Sequence, residues 1–243
     1  MKQILITFLI LSSGYYVYAQ TQSWFTDFRD AVFGQNISIA EAQVLFNTAD
    51  RQARETLNGS ALYVMLSRNE YLMGRVYQDL EMNNEAVARF ENGISLAERS
   101  LAEGENAEAF QMIASLVGQL CMIKPTAWVM ANGLRVERNA RRALQIDSRN
   151  AAALYLLAAR WAFGPGLFGN PRRGITELEA ILNGPAVLQK NDYFNVYSAL
   201  AFANNRLNRH QGALSWIQRA LALYPTNRFA LDLQSEIQQS LGR

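Results

Sequence analysis

The chain has 243 residues, half of them apolar, with 18% charged residues and 5 prolines, which excludes a disordered polymer. One histidine and one cysteine exclude a transition-metal cluster and an intrachain disulfide. With so thin a catalytic inventory an enzyme is the poorest reading, no metal site is expected and no cofactor is implied.

Residues 1–19 carry the pattern of a secretory leader. Lys2 gives a positive start, Ile4–Leu11 is apolar apart from Thr7, and Val17-Tyr18-Ala19 is a small-x-small cleavage site that leaves Gln20 first. The apolar run is shorter than the roughly 20 residues a spanning helix needs, so no membrane span is expected after cleavage and the chain is expected to be periplasmic or secreted; an uncut anchor is the other reading. Residues 20–59 are expected to form N-terminal helices. Trp24–Phe33 reads as a short amphipathic helix. Ser38-Ile39-Ala40-Glu41 has the spacing of a capping box opening a helix to about Leu57. Asn58-Gly59 ends it, and Ser60 is expected to cap the next helix.

A unit of 34 residues then recurs. In the copy beginning at Ser67, Glu70, Met73, Gly74, Tyr77, Ala86, Phe90 and Gly93 occupy positions 4, 7, 8, 11, 20, 24 and 27. Phe194–Asn227 repeats the scheme, with Tyr197, Leu200, Ala201, Ala213, Ile217, Ala220 and Pro225 at 4, 7, 8, 20, 24, 27 and 32. Small residues at 8, 20 and 27 let two helices approach closely, and larger ones at 4, 7 and 24 fill the space between them. Two copies are irregular. One starts near Ala107, is interrupted at Lys124-Pro125, and continues as one long helix from about Thr126 to Asn150. The other has Leu154, Leu157, Ala158 and Trp161, then an inserted loop before Gly174, Leu178 and Ile181. Residues 228–243 are expected to form a terminal capping helix, with Phe229, Leu233 and Ile237 on its apolar face.

These residues identify residues 60–227 as about four tetratricopeptide repeats, two of them irregular. The resemblance implies an all-α fold, a right-handed α-solenoid of helix-turn-helix repeats. The irregular lengths are also similar in layout to the tetratricopeptide component of spirochaete TRAP-type uptake systems and to the regulator-of-microtubule-dynamics type.

In that superfamily ligands bind the concave wall made by the first helix of each repeat. Carried over position by position, the resemblance nominates Arg68, Tyr71, Arg75, Tyr155, Phe163, Phe202, Asn205 and Arg206 as binding residues. The family's clamp for chaperone carboxylates is missing, because Tyr71, Arg75, Met112, Ala152 and Leu156 stand at its positions. A neighbouring helix from residues 22–57 is an alternative occupant of the wall. The inserted loop ends in Asn170, suited to an N-cap, and Pro171, suited to the first helical position. Arg172 and Arg173 then fall where the helix dipole disfavours cations, so they are candidate anion ligands; pairing with nearby acids is the other reading.

Charge is divided along the chain. From Gln20 to Leu134, 7 Arg and 1 Lys oppose 14 acids, giving −6; from Arg135 to Arg243, 13 Arg and 1 Lys oppose 7 acids, giving +7. Arg135, Arg138 and Arg142 share one helix face with Arg141 beside them, but an exported chain argues against nucleic acid as a partner. The expected function is an exported, non-catalytic scaffold for a protein or peptide partner. The alternative is a small-molecule-binding accessory of a periplasmic uptake system, taking a small apolar ligand near Tyr155, Phe163 and Phe202.

Overall fold

The computed structural model describes residues 22–166 and 169–242, so the leader expected over 1–19 and the Leu167-Phe168 pair of the inserted loop lie outside the described residues. Twelve α-helices and no strand occur among those residues. They are α1 Ser23–Gly34, α2 Ile39–Thr56, α3 Gly59–Asp79, α4 Asn83–Glu103, α5 Ala107–Ile123 and α6 Thr126–Asn132. Then follow α7 Leu134–Ile146, α8 Ala151–Phe163, α9 Pro171–Asn183, α10 Lys190–Arg206, α11 His210–Leu223 and α12 Arg228–Leu241.

Local chemistry accounts for several boundaries. At α2 the capping box is complete: Glu41 N–H donates to Ser38 Oγ (3.3 Å) and Ser38 N–H to Glu41 Oε2 (2.9 Å). The expected Ser60 cap is not made. Asn58 stands at the N-cap of α3 without a side-chain bond, and Ser60, inside the helix, has its Oγ 2.8 Å from Ser100 Oγ and accepting from Asn106 Nδ2 (3.0 Å). The long helix expected from Thr126 is likewise corrected to two, α6 and α7. Gly133 between them keeps right-handed helical angles, but its turn is tightened: a Cβ there would lie 2.8 Å from the Val129 carbonyl oxygen.

Four helix pairs stack in order, α3 with α4, α5 with α7, α8 with α9 and α10 with α11, and the first helices of the pairs also touch one another in sequence. That is an all-α solenoid with an inner row α3, α5, α8, α10. The positions read as small do bring helices together. Gly74 of α3 lies so close to the Phe90 ring of α4 that a Cβ would sit 2.4 Å from Cε1. Ala86, Phe90, Ala201, Ala213, Ile217 and Ala220 are all wholly buried. Gly174 fits against Ala162 rather than Ala158, one turn farther along α8, which is where the inserted loop sets the register.

The row does not end freely. One hydrophobic cluster joins Phe25, Phe28, Val32 and Phe33 of α1 to Leu72, Met73 and Val76 of α3, and also to Phe194, Ile217, Tyr224, Leu233 and Ile237 near the C-terminus. The four α1 side chains are at most 5% exposed, and burial of each stabilises by about 1.5–3 kcal/mol before ordering costs. Phe33 packs edge-on against Phe194 at 6.0 Å and lies 5.6 Å from the Tyr224 ring. Polar bonds lock the same joint. Asn227 Nδ2 donates to Phe33 O (2.8 Å), Thr226 Oγ1 to Gly34 O (2.7 Å) and Tyr224 Oη to Asp30 Oδ1 (2.8 Å). On α12, Leu233 and Ile237 are buried as expected, but Phe229 is not: it is 42% exposed and Ala230 takes the core position.

Candidate functional site

The inner row presents the first helices' exposed turns, and the nominated residues divide there into two groups. Arg68, Tyr71, Arg75 and Tyr155 lie toward α1. Arg68 is buried and ion-paired with Glu108 of α5, whose other oxygen accepts from Asn150 Nδ2 (3.2 Å). Asn150 in turn caps α8 by accepting from Ala153 N–H (2.9 Å), so one carboxylate ties α3, α5 and α8 together. The Arg75 guanidinium lies 4.7 Å above the Phe33 ring of α1. Burial alone would lower its pKa, but the oxygens of Tyr71, Asp79 and Tyr155 outweigh that and raise it. Burial pushes the Tyr155 hydroxyl up, with Tyr71 adding to the effect and Arg75 opposing it. Helix α1 packs against α3 and α10 at this end of the row.

The second group remains more open. Phe163, at the end of α8 and 38% exposed, packs at 4.7 Å and tilted by 33° against half-buried Phe202 of α10. Phe229 of α12 stands 6.4 Å from Phe163. Together they form an aromatic lip of three rings reaching solvent. Arg206 is exposed yet anchored, donating from Nη1 to Ala162 O and Gly164 O, both at 2.8 Å, and so satisfying carbonyls at the C-terminus of α8. Asn205 bridges three helices: its Oδ1 lies 2.9 Å from His210 Nδ1 and its Nδ2 donates to Glu236 Oε1 (2.8 Å). Phe229 joins the lip without having been nominated; its place on the terminal helix, outside the repeats, gave no signal of it.

At the inserted loop, Asn170 caps α9 by accepting from Arg173 N–H (3.1 Å), and Pro171 opens the helix. Arg173 pairs with Glu177 (2.7 Å), and its guanidinium lies 4.1 Å over the Trp161 ring, whose neighbour Arg160 stands over the same ring at 4.3 Å and pairs with Glu137. Arg172 is exposed beside them. Arg173 therefore has an acidic partner of its own, as the second reading of this loop held. Among the described residues no group of three His, Cys, Asp or Glu side chains is placed to hold a metal, and no helix is long and apolar enough to cross a membrane.

No protein-family profile matches the chain, and no curated protein matches it. Among solved structures it is similar to TTC0263, a thermophilic TPR protein of Thermus thermophilus. That likeness has 17% identity, covers 84% of this chain and 91% of that one, and has a TM-score of 0.52. A second likeness, to YrrB, described as a TPR protein with an unusual peptide-binding site, has 16% identity, coverage of 81% and 84%, and a TM-score of 0.39. The first shows the fold.

Proposed function

We propose that this chain, a solenoid with the tetratricopeptide fold, is an exported, non-catalytic scaffold that binds a protein or peptide partner at the open end of its inner row. The observation that carries this reading is the lip of Phe163, Phe202 and Phe229, three aromatic side chains held at fixed spacing on three different helices and left partly exposed. Aromatic anchors on a rigid frame lose little entropy on docking and so concentrate binding energy. Arg206 and Asn205 hold the frame together by fastening the end of α8, the start of α11 and the middle of α12 to α10. Export rests on the leader pattern of residues 1–19.

The reading is tested by mild crosslinking in the native host, purification of the tagged chain and mass spectrometry, with N-terminal sequencing of the product. The expected result is a chain beginning at Gln20 that carries a reproducible protein partner, lost in Phe202→Ala. A chain that carries no protein but retains a small molecule would move the assignment to the uptake accessory. An unprocessed chain would replace the cleaved leader with a retained anchor, and an unprocessed chain confined to the cytosol would end the export reading.

A further inference from the structure

The outer face of α6 and α7 carries a feature that the aromatic lip does not explain. Met130 and Leu134 stand four residues apart on either side of Gly133, and Arg138, Arg141 and Gln145 follow Leu134 along α7 at steps of three or four, all of them exposed. The first part of that stripe is apolar and bare: Met130 is 80% exposed and Leu134 76%, with Met122 at the end of α5 at 74%. The second part carries more arginines than acids and borders an open hollow of ≈ 630 Å³ lined by Arg138, Arg141 and Arg142 with Glu137, and by Phe110 and Leu134 among others.

Acids of α4, of the loop after it and of α7 pair with every cation of this face but Arg138. Glu91 pairs with Lys124 (2.9 Å), Glu98 with Arg135 (3.4 Å) and Glu105 with Arg142. Arg141 pairs with Glu137 of its own helix, and Arg138 is exposed with no ion pair among the described residues. An exposed patch of large apolar side chains running into a basic hollow is a docking surface with a direction.

We propose that this face binds an acidic peptide segment of a partner protein whose apolar anchor seats on Met130 and Leu134 and whose carboxylates follow toward Arg138 and Arg141. Charge complementarity selects that occupant. A flat anionic membrane fits less well, since Glu98, Glu105 and Glu137 are interspersed with the arginines and the basic part is a hollow. The surface lies on different helices from the aromatic lip, so it stands or falls separately.

The test is selection of phage-displayed random peptides of about 16 residues, the helical length of this stripe, against the full chain, then fluorescence anisotropy with the strongest one. The expected consensus has two large apolar residues followed by two or more acids. Its affinity falls roughly tenfold or more in Leu134→Ser and in Arg138→Glu, weakens with added salt, and is unchanged in Phe202→Ala. A consensus without acids, binding that Arg138→Glu leaves intact, or failure to enrich any peptide overturns the proposal. Binding of phosphatidylglycerol vesicles that both variants abolish, with no peptide enriched, overturns it in favour of a lipid surface.

Discussion

Replacing Gly74 with alanine probes the closest helix–helix approach described above. A Cβ at 74 lies 2.4, 2.6 and 3.0 Å from Cε1, Cδ1 and Cζ of Phe90, whereas carbon atoms pack comfortably at about 3.5–4.0 Å. The ring would have to retreat by about 1 Å, and it is wholly buried, with the Tyr71 ring 6.4 Å away. Overpacking of this kind costs about 1–3 kcal/mol or more. Opposing it, alanine in a helix interior gains up to about 1 kcal/mol over glycine. The clash wins, and net destabilisation of about 1–3 kcal/mol is expected in urea unfolding followed by circular dichroism. Gly118 of α5 is the control, since nothing lies within 4 Å of its Cβ position; Gly118→Ala is expected to stabilise by about 0.5–1 kcal/mol. Phe90→Leu should relieve the clash, making the double variant less destabilised than the sum of the singles by about 1 kcal/mol. If Gly74→Ala unfolds at the same urea concentration as Gly118→Ala, or if its effect adds fully to that of Phe90→Leu, the close-approach argument fails.

Asn69 is wholly buried and neither amide atom makes a hydrogen bond, so Asn69→Leu is expected to leave stability unchanged or raise it by about 1–2 kcal/mol in the same urea titration. Arg206→Ala should free the Ala162 and Gly164 carbonyls, costing about 1–2 kcal/mol and speeding hydrogen exchange at the end of α8. Burial alone would raise the Asp30 carboxyl, but the Tyr224 hydroxyl, Arg29 and Lys190 outweigh it and hold the pKa below its ordinary 3.8. A carboxylate lowered on folding contributes stability that is complete above the unfolded value and is lost as pH falls through the folded one. Asp30→Asn should therefore flatten the loss of stability below about pH 4 in acid titrations, while lowering stability at neutral pH.

How much of this was legible in the sequence depends on the range of each interaction. Gly74 with Phe90, and Ala201 with Ala213, are neighbours within a hairpin, so a 34-residue pattern contains both partners. The Ser38 capping box spans three residues and reads equally well. Ser60 misleads because its preference for a cap is local while Ser100 and Asn106, which take its hydroxyl, are forty or more residues on. Phe163 and Phe202 could be placed on one wall by position, but Phe229 joins them from a helix outside the repeat, where no register applied. The partner of Arg75 is Phe33, on a helix whose amphipathic pattern announced burial without saying against what.

The joint between α1 and the C-terminal helices sets an order of events when the chain is made. Asp30 meets Tyr224, and Phe33 meets Asn227, across 194 residues. A chain emerging from its first residue therefore shows the Phe25, Phe28 and Phe33 face long before its last partners exist. Loop-closure entropy across that distance must be met before those contacts form. The hairpins between can assemble as they appear, whereas the seal closes only once residues 224–227 have been made. Closure is thus a late step, and a chain cut before α10 would leave Phe33 without Phe194, Tyr224 and Asn227.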